Sequence, residues 1–537
     1  MYTSVQDMRA MVAGTRKTEF SRQKKEDLYQ KRPFFLCEYC HAMGLGPGSL
    51  EDYWQLIYAH DNLMGGCIWE WADHVVDHAA EKKYKYRYTY GGDHGEPHHD
   101  GHFCVDALVY ADRRLHTGAR EMKNVYRPVR AALLSDGSVV FNNTNRFRSS
   151  GYLTVKATVS VDGRPVSEQT LAPDIEPLGK YKTDVFKKTL RELKNKGSDV
   201  TVEFVYLDGK TAVADDQVVV CEGVRECGRT HIDPDEEIFG GILPAKGSAL
   251  VTAGKCHYLF DTKSGLLTSM IVGNRALTGD EQERFTINRA VIDNDPGERG
   301  KVPKHSELEA SPLADRVDLL MGNQSIPHIE AAIPCYSTEE SMAPDYIVHK
   351  HINFTRGGMN VDLYLVREDD SEPLPDITAF GTVLTLNGAL EDVRYYGYGP
   401  YENMPDFKAQ SHLGIFADRV SNMHEPYVFP QGSGIRTGVR WVELRMKDGP
   451  GIRIISPFGE KPFAFEAHHF YADDVNKARH IEDLKDDPEV TVLSLYGFLR
   501  GIGSASCGPD AMEEYRLDGD ARYVTLAYRI EPIEEGE

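Results

Sequence analysis

"RPFFLCEYCHAMGLGPGS", residues 32–49, sets a carboxylate, Glu38, directly after the apolar run Phe34, Phe35, Leu36 and Cys37. Ionised side chains are seldom buried without a partner, because desolvation is costly. A glutamate at the end of a buried strand is therefore paired, protonated or kept for chemistry. The chain then reads as helix and second strand. Ser49 is placed to cap a helix from Leu50 to His60, with Asp52 in the third position as a near capping box. Leu50, Tyr53, Trp54 and Ile57 follow the i, i+3, i+4, i+7 pattern of one apolar face. The run "MGGCIWEW" (64–71) supplies the next strand. Strand, amphipathic helix and strand make one βαβ unit with parallel strands. In such folds chemistry gathers at the carboxyl ends of strands, where Glu38 and Trp69–Glu70–Trp71 lie.

Beyond this unit the texture changes. From about residue 131, "SDGSVVFNN", "YLTVKATVSVDGRPV" and "VTVEFVYLDGKTAV" alternate apolar and polar residues around Asp-Gly turns at Asp136, Asp162 and Asp208. That is the pattern of a small antiparallel sandwich, closing near "VVVCEGVREC". From about residue 236 long strands with turns and few helical periods predict a large β-sandwich. The divisions expected are 1–130, 131–235 and 236–537.

Composition narrows the function classes. The 537 residues carry 61 Lys+Arg against 83 Asp+Glu, net −22, which argues against nucleic acid or an anionic membrane surface as partner. No apolar run is long enough to span a bilayer, and the opening residues lack a signal-peptide core. Nine cysteines without framework spacing point to reduced thiols and a cytoplasmic location.

Each motif has a plain reading beside the functional one. Glu38 is a catalytic carboxylate or a structural ion pair, and His41 orients a substrate hydroxyl or is a structural hydrogen-bonder. Cys37-x-x-Cys40 imitates a redox or zinc pair, but no second CxxC accompanies it. "YGGDHGEPHHDGHF" (90–103) holds four histidines; its glycines and proline mark a loop at an active-site rim rather than a metal site. Trp69, flat and apolar beside carboxylates, suits the CH face of a pyranose. With no Walker loop, Gly-x-Ser-x-Gly elbow or dinucleotide fingerprint, glycoside chemistry is favoured.

At this point the chain resembles the C-terminal half of a large five-domain β-galactosidase of glycoside hydrolase family two, over nearly all its length. "LCEYCHAMG" is similar to that family's nucleophile segment, "GGCIWEWADH" to the following barrel strand, and "YGGDHGE…FCVDALVYADR" to the loops after it. "RAVIDND", "YYGYGPYENMPDF" and "EPYVFPQGSGIRTGVRW" resemble signatures of its terminal sandwich. The resemblance implies the C-terminal part of a (β/α)₈ TIM barrel, an immunoglobulin-like β-sandwich and a large terminal β-sandwich. It implies retaining hydrolysis of terminal β-D-galactosides such as lactose, with Glu38 as nucleophile, His41 on galactose hydroxyls and Trp69 as the floor of the subsite. Phe103, through its carbonyl, and Asp106 match sodium-binding positions; the family's usual residue at the latter is asparagine. Tyr2, from a Met-Tyr pair, matches a tyrosine near the nucleophile.

Two departures are visible. The family's best-known members set a tryptophan over the leaving-group subsite, where counting back from "GFLRGIG" gives about Val492 here, so lactose is expected to bind less well. The acid/base glutamate and the Mg²⁺ ligands lie in the resembled half that precedes Tyr2. The chain is thus expected to be inactive alone and to need an N-terminal half or second subunit, with a homo-oligomer forming when complete. Failing that, it is a non-enzymatic sandwich fragment or accessory subunit that binds sugar or a complementary chain. A glycosidase for another sugar, fucoside or glucoside, is disfavoured by the terminal motifs.

Overall fold

Strands dominate the structure and helices are few. The computed structural model describes residues 2–14, 32–79, 83–193, 199–207, 223–226, 240–281, 283–295, 309–310, 314, 316–321, 327–336, 343–355, 357–367, 374, 376–447, 449–457 and 461–534.

The first segment contains helix α1 (Val5–Val12), strand β1 (Phe34–Tyr39), helix α2 (Leu50–Ala59) and strand β2 (Leu63–Ile68). The two strands pair in parallel, with Leu36 opposite Gly66 and Tyr39 opposite Ile68. This is the expected βαβ unit. Leu36, Tyr39, Leu50, Tyr53, Ile57 and Leu63 form one core against which Trp54 packs. Trp54 Nε1 donates to the Tyr39 hydroxyl (2.9 Å), and Tyr53 donates to the Thr3 carbonyl (2.8 Å), so α2 fixes both the end of β1 and the residues before α1.

The capping expectation at Ser49 is corrected. Ser49 sits at φ +59° and caps nothing with its side chain. Its hydroxyl instead donates to Asp406 Oδ2 (3.4 Å) and its N–H to the Asp406 carbonyl (2.8 Å). Asp52, the expected box partner, accepts from the Tyr515 hydroxyl at 3.1 Å. Local helix signals lost here to contacts more than 350 positions away in sequence.

The described residues between 129 and 226 form two antiparallel sheets, one of them edged by strand Gly223–Glu226, over a shared core that includes Val139, Phe141, Val155 and Phe204. Asp162 and Gly163, both at positive φ, make the two-residue turn between strands Thr154–Val161 and Arg164–Leu171. The Asp136 turn is also present, closed by Leu134 N–H to the Ser138 carbonyl at 2.8 Å. Asp208 and most of "VVVCEGVREC" lie outside the described residues. A short helix, Lys187–Glu192, was not expected.

Among the described residues from 240 onward, two five-stranded sheets and one ten-stranded sheet surround the largest core. Loops from this part grip the first segment. Asp406 is central: Oδ1 accepts from Ile502 N–H and Oδ2 from Gly503 N–H, both at 2.8 Å, while Gly48 N–H donates to the Gly503 carbonyl at 2.8 Å. A side chain on Gly48 would collide with the Asp406 carboxylate. Replacing Asp406 by alanine strands two buried N–H donors, so Asp406→Ala is expected to lower unfolding stability by about 2–4 kcal/mol, read as a shift in urea midpoint.

Candidate active site

The βαβ geometry delivers Glu38 and Trp69 to neighbouring strand ends, and they meet in an open cleft of about 1090 Å³. Tyr2, Glu38, His41, Trp69 and Phe103 line it, joined by Cys507, Gly508 and Pro509 from the far end of the chain. Five of the six residues singled out from sequence therefore share one wall. The sixth, Asp106, is buried just behind it.

Asp106 is placed by backbone pairing. Glu70 N–H donates to the Asp106 carbonyl (3.2 Å) and Leu108 N–H to the Glu70 carbonyl (3.1 Å), setting 106–108 alongside the residues that follow β2. Its Oδ2 accepts from Trp69 Nε1 at 3.0 Å and lies 3.2 Å from His41 Nε2. One carboxylate oxygen thus holds both the indole and the imidazole. The indole is 43% exposed and offers its surface to the cleft, whereas His41 is only 1% exposed. The Phe103 ring stacks on His41 with centroids 5.4 Å apart, and Tyr2 meets the same ring edge-on at 6.1 Å.

Two residues that sequence reasoning missed complete the imidazole's surroundings. Asn294 donates through Nδ2 to the carbonyls of Met43 (3.2 Å) and Leu45 (2.9 Å), which turns its Oδ1 towards Ser506. Ser506 donates its hydroxyl proton to that oxygen at 2.7 Å, leaving a lone pair for His41 Nδ1 at 2.8 Å. Nδ1 therefore donates in this contact. Asn294 belongs to "RAVIDND", a signature noted above without a role for its asparagine. Ser506→Ala removes both side-chain hydrogen bonds and is expected to cost about 1–3 kcal/mol of stability, measured by denaturant unfolding.

Burial pushes the Tyr2 phenol above its ordinary range, with Cys507, Glu38 and Asp106 adding to the effect, so the hydroxyl stays protonated and a donor. Glu70 is also raised, by burial first and then by Asp106.

The histidine-rich loop serves as a buttress. His102 stacks on Phe429 (3.5 Å between centroids) with Nε2 2.7 Å from Asp293 Oδ1, while Asp93 faces His480 Nε2 at 2.9 Å. His94 goes to Thr89 Oγ1 at 2.8 Å. These contacts pin the loop, and with it Phe103, to the terminal β-region. Among the described residues no group of three or more His, Cys, Asp or Glu is arranged to hold a metal.

The assignment of Val492 to the cleft is corrected. Val492 is buried inside strand Val490–Leu499, paired with Thr385 on one side and His468 on the other. A strand flanked on both sides aims its side chains at packed layers, so the cleft is reached from the loop after "GFLRGIG", through Cys507–Pro509.

Residues 1–131 match the family described as "Glycosyl hydrolases family 2, TIM barrel domain". Residues 252–530, just over half of the chain, match "Beta galactosidase small chain". A β-galactosidase of Actinobacillus pleuropneumoniae is 27% identical over 505 residues, covering 91% of this chain and 47% of that protein. One from Staphylococcus xylosus is 27% identical over 525 residues, covering 93% and 49%. The chain spans about half the length of the curated relatives it matches. Among solved structures, a galactose mutarotase-like protein from Lactobacillus casei ATCC 334 is 13% identical with a TM-score of 0.31, covering 53% of this chain and 100% of that one; at that score the likeness carries no argument. The chain belongs to the β-galactosidase small-chain family and corresponds to the C-terminal half of a β-galactosidase of glycoside hydrolase family two.

Proposed function

We propose that this chain is the nucleophile-bearing half of a retaining β-galactosidase, with Glu38 attacking the anomeric carbon of a terminal β-D-galactoside. The observation that carries the reading is the convergence of Glu38, His41, Trp69, Tyr2 and Phe103 on one cleft. In the retaining route a carboxylate forms a covalent glycosyl-enzyme and a second carboxyl group, about 5–5.5 Å away, acts first as acid and then as base. Here the second group comes from a complementary N-terminal half, which also supplies the Mg²⁺ ligands. Trp69 floors the sugar subsite, while His41 orients a galactose hydroxyl. Tyr2, held as the neutral phenol with Cys507 as its hydrogen-bond partner, lies within the electrostatic reach of Glu38.

Asp106 and the Phe103 carbonyl would hold sodium. Asp106 Oδ1, buried and without a hydrogen-bond partner among the described residues, suits a hard cation. Bound there, the ion offsets the extra carboxylate charge that asparagine would lack.

The fold assigned to this function is the C-terminal part of a (β/α)₈ barrel, an immunoglobulin-like sandwich and a large terminal sandwich. A partner completes the barrel beside β1 and β2, whose open face carries Phe35 and Met64, 50% and 62% exposed. The completed enzyme works in the cytoplasm as a homo-oligomer. The terminal β-region lines the cleft with Cys507, Gly508 and Pro509, no aromatic ring among them, so glucose stacking is weak and lactose is a poorer substrate than other β-galactosides.

The test is hydrolysis of o-nitrophenyl β-galactoside by the purified chain, with and without the N-terminal half of a family-two β-galactosidase. Turnover that appears on mixing supports the proposal. Turnover by the chain alone, persisting in Glu38→Gln, overturns it.

A further inference from the structure

One sheet of the terminal β-region carries a buried polar face away from the cleft. Strands Phe463–His468 and Val490–Leu499 pair with Glu466 opposite Ser494 and His468 opposite Val492. Between these positions Phe465, Ala467, Leu493 and Leu495 enter the largest core. Alternation therefore turns Glu466, His468, Ser494 and Tyr496 to the other face, each less than a tenth exposed. His424, Ser433 and the ring of Phe470 close over that face and leave a pocket of about 460 Å³, which shares no lining residue with the cleft. Polar groups taken out of water in this way need partners.

Two imidazole nitrogens lack them. His468 Nε2 donates to the Ser433 carbonyl at 3.1 Å, so Nδ1 of the neutral ring is an acceptor, and it has no hydrogen-bond partner among the described residues. Burial, with His468 beside it, pushes the His424 imidazole down to about 3, so this ring is neutral. Ser433 Oγ accepts from Glu425 N–H (3.2 Å) and donates to His424 Nδ1 (2.7 Å). The ring proton of His424 is then on Nε2, which is buried and also without a partner among the described residues. Phe470 stacks on His468 with centroids 4.9 Å apart and meets His424 edge-on at 5.2 Å, holding both rings. Glu466 adds a carboxylate: Oε1 accepts from the Tyr496 hydroxyl at 2.5 Å, and Oε2 lies 3.5 Å from His468 Nε2 with lone pairs to spare.

The pocket thus presents one unpaired donor, one unpaired acceptor and a carboxylate. Among the described residues no three His, Cys, Asp or Glu are arranged for a metal ion. An alcohol oxygen, which donates and accepts at one atom, answers both nitrogens. We propose that this pocket binds a small neutral polyhydroxy compound, of monosaccharide size or less, through neighbouring hydroxyls: one accepts from His424 Nε2 and donates to His468 Nδ1, and the next donates to Glu466. Binding here requires neither Glu38 nor a complementary N-terminal half, so it stands apart from galactoside hydrolysis.

The test uses the full chain with D-galactose and glycerol as probes, observed by NMR of protein labelled with ¹⁵N-histidine. At least one probe is expected to shift the His424 and His468 imidazole signals saturably, and to do so equally in Trp69→Ala, where the cleft has lost its indole. His468→Phe keeps a ring against Phe470 but removes the acceptor, and is expected to weaken binding about tenfold in calorimetric titration. Its urea midpoint shows whether that variant is folded; if it is not, the wild-type and Trp69→Ala spectra decide alone. Imidazole signals unmoved by both probes, shifts that vanish in Trp69→Ala, or undiminished binding by folded His468→Phe would overturn the proposal.

Discussion

Glu38→Gln is expected to abolish galactoside hydrolysis by the completed enzyme, by roughly 10³-fold or more in kcat, equivalent to about 4 kcal/mol of barrel-assembled transition-state stabilisation. The amide keeps the size and most of the hydrogen bonding of the carboxylate but is a very poor nucleophile, so binding of galactose should survive where turnover does not. A 2-fluoro-galactoside with a good leaving group sharpens the result: it should label wild-type protein at Glu38, found by peptide mapping, and leave the glutamine variant unlabelled. Labelling instead at Glu70, or at Asp7 of α1, which also lines the cleft, would move the nucleophile to another carboxylate.

The second large effect concerns stability. Glu121, on the helix Thr117–Val125, is completely buried. Its Oε2 accepts from Gln410 N–H at 2.9 Å, while Oε1 has no hydrogen-bond partner among the described residues. Burial pushes this carboxyl up to about 8. An unfolded glutamate titrates near about 4.3. Between these values the folded state holds a proton that the unfolded chain has lost, so stability falls as pH rises. The contribution is fully present below the unfolded value and is lost once pH passes the folded one. Wild-type protein should lose on the order of 3 kcal/mol from this group between about pH 5 and pH 9. Glu121→Gln, still able to accept from Gln410, should remove that slope and be the more stable protein at the alkaline end. Asp52, raised by burial to about 6, contributes in the same direction and leaves a smaller residual slope. Urea midpoints of both proteins across this range decide the matter; parallel curves would refute the assignment.

Much of the candidate site was legible because its signals are local. "LCEYCHAMG" and "IWEW" each sit at a strand end, and a parallel βαβ unit brings such ends together. Glu38, His41 and Trp69 needed no long-range knowledge to be placed in one region. What escaped were contacts made across the chain: His41 and Ser506 are 465 positions apart, and no periodicity links them. The Ser49 cap failed for the same reason, since Asp406 claims its hydroxyl. Val492 was misplaced because a position counted along a strand does not reveal which loop beyond that strand turns into the cleft. The alternating segments of 131–207 were readable because Asp-Gly turns fix hairpin register within a few residues. The loop at 90–103 was correctly taken as irregular, but its docking through His102 and Asp93 depends on partners far away in sequence.

The chain of Asn294, Ser506 and His41 has a consequence for how such proteins diverge. A histidine beside the proposed nucleophile takes its orientation from the terminal β-region, so these parts are not interchangeable modules. Chimaeras that join the barrel segment of one relative to the terminal region of another should retain function when asparagine and serine are inherited together with the histidine. Breaking that trio should leave a folded hybrid with a misaligned imidazole, and recombination within this family is therefore constrained by three atoms' worth of hydrogen bonding as well as by the surfaces that meet.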